Sequence, residues 1–588
     1  MAGDDEDLVT RLRRAGVARG DLVGLVVSAD LALGVAPAGG GWAVPGGALA
    51  GATALGRIDE ELRPRWAVWS GETAGRLVSC GVRLATCWDI GAGHRLLFGG
   101  FRADPGFAWA RLRGLDTSSV PAAGPPELFD LFGPSDQPGA GEGPVALDGY
   151  LRPEWTGGGW ADSAGRLAAW AELARTVASL QQDRLAALAE HPMAVPTARS
   201  ESAAELLCAE LCADGLPMDR AVAERVVASF VGPRPRSQAE AVALRAARDE
   251  QVLRHAPAGV TADLRSHAQV KSLLGRIGVD VPDTRAWRLR ELHDAHPLVA
   301  ALLEWKKAER VATTYGYAWL DEALGPDGRL RGAWTGSDGA AGRMTASAGL
   351  HNMPAAMRRA VVAGDGHAFV RADLGQIEPR VLAAVTGDPA LVLAARADDM
   401  YAPVAEQLRV DRPTAKVAVL GAMYGQTTGY GAQALRRLNA AYPVAMGYLD
   451  AADRAGQAGR DLRTYGGRLV QLAVPAGEEP RSPSRAAAYG RYARNAMIQG
   501  AAAELFKMWA VTVRARCGHL GARIVLCLHD ELLVHAPLQH AETVAGIVDD
   551  CLHEAARRWA PGCGVRFISD TAVVSCWSEA KGSPPPPA

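Results

Sequence analysis

Lysine and asparagine are both scarce in this chain of 588 residues. The sequence holds 57 arginines but only six lysines, and it holds only three asparagines. A residue type that is rare overall seldom falls into a motif by chance. The few lysines and asparagines that stand inside patterned segments are therefore especially informative.

The sequence also lacks long apolar runs. No uninterrupted apolar stretch is long enough to cross a bilayer, and the first residues, MAGDDEDLVT, are acidic where a signal peptide would be cationic and then apolar. These absences argue against a membrane protein and a secreted one. We expect a cytoplasmic protein with no membrane partner.

Paired cysteine motifs are missing as well. The nine cysteines are scattered, and the closest pair, Cys208 and Cys212, does not have the CxxC spacing of a zinc site. Reduced thiols in the core are the better interpretation. The formal net charge of −2 neither indicates nor excludes a nucleic-acid partner, because a basic cleft can be masked by acidic residues elsewhere.

The length allows two to four domains, and the sequence pattern changes along the chain. Residues 20–190 mix short apolar runs with Gly/Pro-rich stretches, which predicts an α/β domain that ends with a helical run before His191 and Pro192. The pattern of residues 200–320 predicts several amphipathic helices. Strands and helices alternate after Gly342.

Two segments place carboxylates at the ends of predicted strands. AFVRADLGQIEPRVLAAVTGD predicts a short strand that delivers Asp373, then a turn, then a helix that begins near Gln376. IVLCLHDELLVHAP predicts a hairpin whose tight turn exposes Asp530 and Glu531. Acids in turns are common, so either motif alone indicates little; together, the two strand ends could meet around magnesium.

A third segment, DRPTAKVAVLGAMYGQ, predicts a helix capped by Asp411. Arg412 and Lys416 share one face near its N-terminus, where positive charge and free backbone N–H groups favour a polyphosphate. A fourth segment, SRAAAYGRYARNAMIQG, predicts a long helix with polar residues every four positions. They are Arg491, Asn495 and Gln499.

These motifs, in this order, resemble those of family A DNA polymerases over roughly residues 200–581. AGRMTASAGLHNMP is similar to the family's TGRLSS…LQNIP, RADLGQIEPR to DYSQIELR, RPTAKVAVLGAMYG to RRxAKxxNFGxxYG, and LHDELLV to VHDEL. The resemblance implies an α/β multidomain chain with a right-hand polymerase domain. Its palm would carry an antiparallel sheet, and its fingers and thumb would be helical.

The resemblance also implies domain bounds. An RNase H-like domain of the 3′-5′ exonuclease type is expected at 1–192 and the polymerase domain at 193–588. Within the latter, the thumb is expected at about 197–340, the palm at about 341–400 and 496–588, and the fingers at about 401–495.

By the same resemblance, Asp373 and Asp530 hold two Mg²⁺ ions, with Glu531 a nearby catalytic carboxylate. Lys416 is also expected to donate the proton to pyrophosphate. Glu378 and Tyr424 crowd the 2′ position of the sugar and exclude ribonucleotides. The expected nucleotide-binding positions are Arg412, Lys416, Leu420, Tyr424, Glu378, Gln376 and His529. The expected DNA-binding positions are Arg343, Asn352, Arg491, Asn495 and Gln499, with His529 close to the nascent base pair. The expected partners are primer-template DNA and deoxynucleoside triphosphates (dNTPs), and the expected state is a monomer.

This chain departs from the family pattern in several places. Leu420 stands where the family has an aromatic residue, and Val419 where it has asparagine. In the N-terminal domain, Asp30 lacks a glutamate two residues on, and Trp160 and Ala164 occupy the places of a tyrosine and an aspartate. We therefore expect a nuclease fold without proofreading activity. No segment resembles a 5′-nuclease domain, so flap removal would need a partner.

Two other functions remain open at this point. A single-subunit RNA polymerase shares the palm acids and the helix lysine, although Glu378 argues against a protein that must accept a 2′-hydroxyl. A non-catalytic DNA-binding protein could retain the fold, although the two acids, Lys416 and Tyr424 are all present.

Overall fold

The computed structural model of the chain describes residues 8–46, 50–122, 143–425, 431–474 and 481–580. The chain forms two compact units. The first comprises Met1–Asp214, Ala333–Thr345 and Val370–Val573, and the second comprises Gly215–Gly332, Ala346–Phe369 and Val574–Ala588. Across the described ranges, no helix has both the length and the apolar character needed to cross a membrane.

The N-terminal part of the first unit is built on a five-stranded sheet. Its strands lie in the spatial order Trp42–Val44, Leu33–Ala36, Leu22–Val27, Arg65–Val68 and Cys87–Asp89. The first three strands along the chain pair antiparallel, and the last two lie parallel to Leu22–Val27. The prediction of an α/β domain in this part of the chain is confirmed.

One long helix covers this sheet closely. The helix Ala164–Ala186 packs on the strands at Gly24 and Gly34, where an added Cβ atom would lie 1.9 Å from the Ala171 carbonyl oxygen and 2.3 Å from that of Leu167. Only glycine permits this approach. The apolar residues of the sheet and the helix form the core of this part of the unit.

The first unit contains sixteen described α-helices in addition to its sheets. Its N-terminal helices are Leu8–Arg14, Ala50–Glu61, Gly71–Ser79, Ile90–Phe98, Pro105–Arg113, Pro153–Thr156, Ala164–Ala186 and Ala194–Asp214. Its later helices are Ile377–Thr386, Pro389–Ala394, Tyr401–Leu408, Arg412–Tyr424, Gly431–Ala441, Pro443–Gln457, Pro483–Cys517 and Ala541–Trp559.

A four-stranded sheet carries the two segments that the sequence predicted to end in carboxylates, those of Asp373 and Asp530. Its strands lie in the order Arg523–Leu528, Glu531–Pro537, His367–Leu374 and Ser569–Val574. The first two form an antiparallel hairpin in which Leu528 faces Glu531. Two-stranded pairs join Trp334–Asp338 to Arg343–Ala346 and Leu462–Arg463 to Leu469–Val470.

The second unit is mainly helical, as predicted for residues 200–320. Its helices are Arg220–Val231, Gln238–Leu253, His267–Arg276, Ala286–Glu291, Pro297–Thr314 and Tyr317–Ala323. Its core includes Val270, Leu274, Leu298, Leu302 and Trp305, all buried. A short antiparallel pair, Leu216–Pro217 with Arg329–Leu330, completes it.

Candidate active site

Asp373 and Asp530 lie on neighbouring chain segments at one edge of the four-stranded sheet. Asp373 is the penultimate residue of its strand, and Asp530 lies in the two-residue turn of the hairpin. The backbone N–H of Leu374 donates a hydrogen bond of 2.8 Å to the backbone oxygen of Asp530. The predicted strand end and the predicted hairpin are confirmed, and one backbone hydrogen bond joins them.

The hairpin turn adopts a strained conformation at His529. Its φ of 41° lies in the left-handed region, which costs a residue with a side chain about 1 kcal/mol. Burial lowers the pKa of His529, and the nearby Arg343 guanidinium lowers it further. A neutral imidazole therefore stands beside Asp530.

A buried arginine that the sequence reasoning missed organises the acids. Arg371 is 1% exposed, and its guanidinium pairs with Asp373 at 2.5 Å, Glu531 at 2.8 Å and Asp570 at 3.2 Å. Burial opposes the charged form of Arg371, but the three carboxylates outweigh it and raise its pKa. A signal was present in the sequence, because Arg371 and Asp373 stand two residues apart and so share one face of the strand.

Arg371 explains where Glu531 lies. The Glu531 side chain is 6% exposed and is held by the Arg371 guanidinium, so it does not line the cavity in front of Asp373. Glu531 is thus placed behind the two aspartates. The ion pair that the structure describes for Glu531 is the one with Arg371, at 2.8 Å.

The cavity in front of the aspartates has a volume of about 480 Å³. Its walls bring together most of the residues that the sequence singled out. They are Arg343, Asp373, Gln376, Glu378, Lys416, Leu420, Tyr424, His529 and Asp530. The lining also includes Tyr401, Ala502 and Ala503 of the long helix, and Leu374, Gly375, Ile377 and Pro379 next to Asp373.

The helix Arg412–Tyr424 forms one wall of the cavity. Asp411 caps it by accepting a hydrogen bond from the Thr414 N–H at 2.7 Å, as predicted, and Pro413 stands in its first turn. Lys416 is exposed and faces the cavity. Leu420 lies one turn further along the same helix.

Arg412 does not line the cavity but is tied to a carboxylate beside it. Its Nε donates to Asp399 at 2.5 Å, and its side chain remains 52% exposed. Asp399 also accepts from Gln376 Nε2 at 2.8 Å. The hydrogen bond from Arg412 lowers the pKa of Asp399. The sequence reasoning missed Asp399, which stands outside the recognised motifs.

Glu378 and Tyr424 form a hydrogen-bonded pair in the lining of the cavity. The Tyr424 hydroxyl donates to one Glu378 oxygen at 2.7 Å, and Arg343 Nη2 donates to the other at 3.0 Å. Burial and the Glu378 carboxylate raise the pKa of Tyr424. The phenol therefore stays protonated, and both carboxylate oxygens of Glu378 are engaged.

A second buried arginine fixes the turn between the strand and the helix. Arg380 is 0% exposed and donates to several backbone oxygens. These acceptors are Gly375, Ala395, Ala397, Asp398 and Arg566, at 2.5 to 3.0 Å. Gln376 Oε1 accepts at 3.2 Å. The sequence reasoning missed this anchor too, because backbone acceptors leave no pattern in the sequence.

The remaining predicted residues lie away from the cavity lining. Arg491, Asn495 and Gln499 are on the helix Pro483–Cys517, and Arg491 packs against Gly425. Asn352 belongs to the second unit, where its backbone oxygen accepts a hydrogen bond from Arg310 at 2.8 Å.

The two aspartates suit magnesium chemically. Mg²⁺ prefers carboxylate oxygens and is commonly held by one or two carboxylates together with phosphate oxygens and water. Within the described ranges, no group of three or more His, Cys, Asp or Glu side chains is placed to hold a metal ion. Asp373 and Asp530 at the head of an open cavity fit a Mg²⁺ site that phosphate oxygens and water complete, and not a site made of protein ligands alone.

Known proteins similar to this chain include bacterial polymerases. DNA polymerase I of Chloroflexus aurantiacus is 31% identical over 344 residues, which cover 51% of this chain and 36% of that protein. The thermostable DNA polymerase I of Thermus aquaticus is 30% identical over 297 residues, which cover 46% of this chain and 35% of that protein. The matched part thus spans about a third of these relatives.

The fold matches a solved structure along nearly its whole length. The polymerase domain of Pol1 from M. smegmatis, solved in complex with DNA primer-template and dNTP, superposes with a TM-score of 0.67 at 22% identity and covers 98% of this chain and 99% of that one. Residues 236–577 match the family described as DNA polymerase family A. The chain belongs to DNA polymerase family A.

Proposed function

We propose that this chain is a DNA-templated DNA polymerase that extends the 3′ end of a primer with dNTPs. One observation carries the proposal. Asp373 and Asp530 line a single cavity together with Lys416, Tyr424 and Glu378. Paired carboxylates facing a lysine suit nucleotidyl transfer, which depends on positioning and on charge stabilisation.

Asp373 and Asp530 would hold two Mg²⁺ ions between them. Bound there, the ions supply activation of the primer 3′-hydroxyl and neutralisation of the charge on the triphosphate and on the departing pyrophosphate. Arg371 keeps the Asp373 carboxylate oriented from behind, and Glu531 acts through Arg371. In this proposal Glu531 is a positioning residue.

Lys416 and Arg412 would bind the triphosphate. Lys416 faces the cavity and is suited to donate a proton to the leaving pyrophosphate. Arg412 is paired with Asp399 at 2.5 Å but is half exposed, so it can exchange this carboxylate for a phosphate group. The hydrogen bond from Gln376 to Asp399 couples this exchange to the turn that follows Asp373.

Glu378 and Tyr424 would exclude ribonucleotides. Their hydrogen bond of 2.7 Å joins the two side chains into one continuous wall, and the hydrogen bonds from Tyr424 and Arg343 fix the Glu378 carboxylate where it would crowd a 2′-hydroxyl. Leu420 supplies an apolar contact where the family has a ring. His529 lies at the edge of the nascent base pair.

Primer-template DNA would be the macromolecular partner of a monomeric protein. Its proposed contacts are Arg343, Asn352, Arg491, Asn495 and Gln499. We assign the thumb, palm and fingers as the sequence predicted them, and a role in replication or repair in the cytoplasm goes with this assignment. The relatives' names support the activity, although they are matched over about a third of their length.

We also propose that the N-terminal part has an RNase H-like fold without proofreading activity. The five-stranded sheet supports this fold. Its strands, numbered along the chain, lie in the spatial order 3-2-1-4-5, and strands 4 and 5 are parallel to strand 1. Ser28 and Asp30, which follow the first strand, are hydrogen bonded to each other, and the residue two positions after Asp30 is Ala32 and not a glutamate. Degradation of single-stranded DNA that requires a divalent metal and is lost on deletion of this part would contradict the proposal.

Primer extension on a DNA duplex with Mg²⁺ tests the main proposal. Native protein should extend with dNTPs, and Asp530→Asn should not. The matched control is Glu542→Gln, an exposed carboxylate on the helix Ala541–Trp559, which should extend like the native protein. Preferred use of ribonucleotides would indicate an RNA polymerase. Folded native protein that binds the duplex but never extends it would indicate a non-catalytic DNA-binding protein.

A further inference from the structure

A second group of cavities in the first unit is lined by arginines and lies apart from the candidate active site. Three adjoining cavities of about 520, 700 and 680 Å³ all contact Ala85 and Ala515. We name them together the arginine cleft. The arginines that line it are Arg19, Arg63, Arg65, Arg83, Arg199, Arg514, Arg516, Arg523 and Arg558.

The acidic residues of the cleft do not balance these arginines. Glu210 already accepts two hydrogen bonds from Arg514, at 2.7 and 2.9 Å. Glu554 is paired with Arg516 and with Arg558. Asp59 accepts from the Trp66 indole and from the Ala85 backbone. The fourth acid of the lining, Glu60, is exposed and forms no ion pair among the described residues, so four carboxylates stand against nine arginines.

Several of the arginines form no ion pair in the described part of the chain, although the positive charge of Arg63 stabilises the Asp59 carboxylate. Within the residues that the structure describes, no ion pair joins a carboxylate to any of four arginines of the cleft. They are Arg19, Arg63, Arg65 and Arg199. Arg19, Arg63 and Arg199 are exposed to solvent in the cleft, and Arg65 is half-buried. Unbalanced positive charge in a concave site attracts an anion.

Two of these arginines repel each other. Burial lowers the pKa of Arg65, and the positive charge of Arg199 lowers it further. The hydrogen bond from Arg65 to the Cys87 carbonyl, at 3.5 Å, is long and does not neutralise this charge. A bound anion between Arg65 and Arg199 would relieve a repulsion that no described carboxylate relieves.

The backbone conformation at Arg63 also indicates a function for an arginine of the cleft. Arg63 follows the helix Ala50–Glu61 and has a φ of 47°, a left-handed conformation that glycine usually supplies after a helix. Retaining a long cationic side chain at a strained position is expected where the side chain has a function. Here the side chain lines the first two cavities.

The chemistry of the cleft favours phosphates without bases. Guanidinium groups bind phosphate oxygens through paired, charge-assisted hydrogen bonds. The described lining contains no Phe, Tyr or Trp ring on which a base could stack, as single-stranded nucleic acid normally requires. Cavities of about 520 to 700 Å³ do not admit a base-paired duplex, in which paired bases separate two phosphate backbones.

We propose that the arginine cleft binds a chain of consecutive phosphates that carries no base, such as pyrophosphate, tripolyphosphate or a longer inorganic polyphosphate. This site is separate from the triphosphate site proposed at Lys416. Arg523 begins the strand that ends beside His529, so the two sites lie at opposite ends of one strand, roughly 20 Å long. The effect of phosphate binding at one site on phosphate binding at the other can therefore be measured.

Calorimetric titration with tripolyphosphate tests the proposal. The full chain carries Lys416→Ala and Arg412→Gln in every variant, so that the two triphosphate contacts of the proposed active site do not contribute, and the ionic strength is physiological. The cleft variant combines Arg63→Gly, Arg65→Gln and Arg199→Gln. The control variant also removes three arginine charges, all of them exposed, from helices of the second unit, through Arg225→Gln, Arg245→Gln and Arg276→Gln.

The cleft variant should bind tripolyphosphate at least about 100-fold more weakly, since it lacks three charge-assisted contacts, while the control variant binds normally. Arg63→Gly alone should weaken binding without lowering the melting temperature, because glycine suits the left-handed backbone. Separate titrations with pyrophosphate and longer polyphosphate identify the preferred chain length.

Three results would overturn the proposal. The first is no binding of any of these polyphosphates by the parent protein. The second is equal weakening in the cleft and control variants, which would indicate a general charge effect. The third is displacement of tripolyphosphate by single-stranded DNA of matched charge at lower concentration, which would assign the cleft to a nucleic-acid backbone instead.

Discussion

Replacing Arg371 by methionine should destabilise the sheet that carries both aspartates. The side chain is 1% exposed and pairs with three carboxylates that differ in exposure, at 77% for Asp570, 24% for Asp373 and 6% for Glu531. The pair with Asp570 contributes little, because exposed pairs are worth about 0–1 kcal/mol. The loss should come mainly from Glu531, which would be left buried and charged.

Breaking a buried pair by removing one partner costs about 3–5 kcal/mol. We therefore expect Arg371→Met to lower the free energy of unfolding by about 4 kcal/mol. The double variant Arg371→Met/Glu531→Gln removes the orphaned charge as well and should recover about 1–3 kcal/mol of that loss. Arg371→Lys should fall between the native protein and Arg371→Met, because an ammonium group keeps the charge but not the three-way geometry.

Hydrogen exchange measures this effect where it arises. Amide protection in the strand Glu531–Pro537 reports the free energy of opening this sheet and does not require the whole chain to unfold in one step. Glu542→Gln serves as the neutral control. The proposed role of Arg371 would be refuted if Arg371→Met changed protection by less than about 0.5 kcal/mol, the size of an ordinary surface substitution, or if the double variant were less stable than the single one.

The contacts in the cavity and beneath it lead to three further predictions. Tyr424→Phe removes the hydroxyl that holds Glu378, so the preference for deoxynucleotides over ribonucleotides in kcat/KM should fall about tenfold, equivalent to one hydrogen bond of about 1.4 kcal/mol; an unchanged ratio would contradict the proposed wall. Asp399→Asn releases Arg412 from its carboxylate and should tighten dNTP binding about two- to fivefold in a titration of the Kd, since an exposed pair is worth up to about 1 kcal/mol; weaker binding would show that Asp399 positions Arg412 for the phosphate. Burial raises the pKa of Glu504 from 4.5 to about 7, so the folded state holds this proton more tightly, and stability should fall by roughly 3 kcal/mol as the pH rises from about 4.5 to 7; urea unfolding of Glu504→Gln should lack that part of the slope.

Local signals in the sequence predicted the elements of the site well. The strand before Asp373, the hairpin around Asp530 and the helix capped by Asp411 were all predicted from apolar spacing, turn residues and capping residues within a few positions of each other. Each needed only short-range information. The predicted roles of these residues, and the predicted domain bounds, stay predictions.

The contacts that hold the site together could not be predicted in the same way. Arg371 pairs with Glu531 and Asp570, which lie 160 and 199 residues further along the chain. Such pairings depend on which strands become neighbours, and the sequence pattern fixes each strand without fixing its neighbour. Even so, an arginine two residues before a predicted metal ligand was visible, and its shared strand face could have drawn attention to it.

The burial of Arg380 has a consequence for how freely this cavity can change. Its guanidinium donates hydrogen bonds to backbone oxygens of three separate segments. They are the turn at Gly375, the segment that contains Ala395 and Asp398, and the segment at Arg566. These acceptors are backbone oxygens, and the one cavity-wall side chain among the described acceptors of Arg380 is Gln376, at 3.2 Å. Substitutions at wall positions such as Leu420 can therefore accumulate while the backbone around Arg380 keeps its shape. The nucleotide selectivity proposed for this chain can thus change, in evolution or by engineering, without loss of the fold.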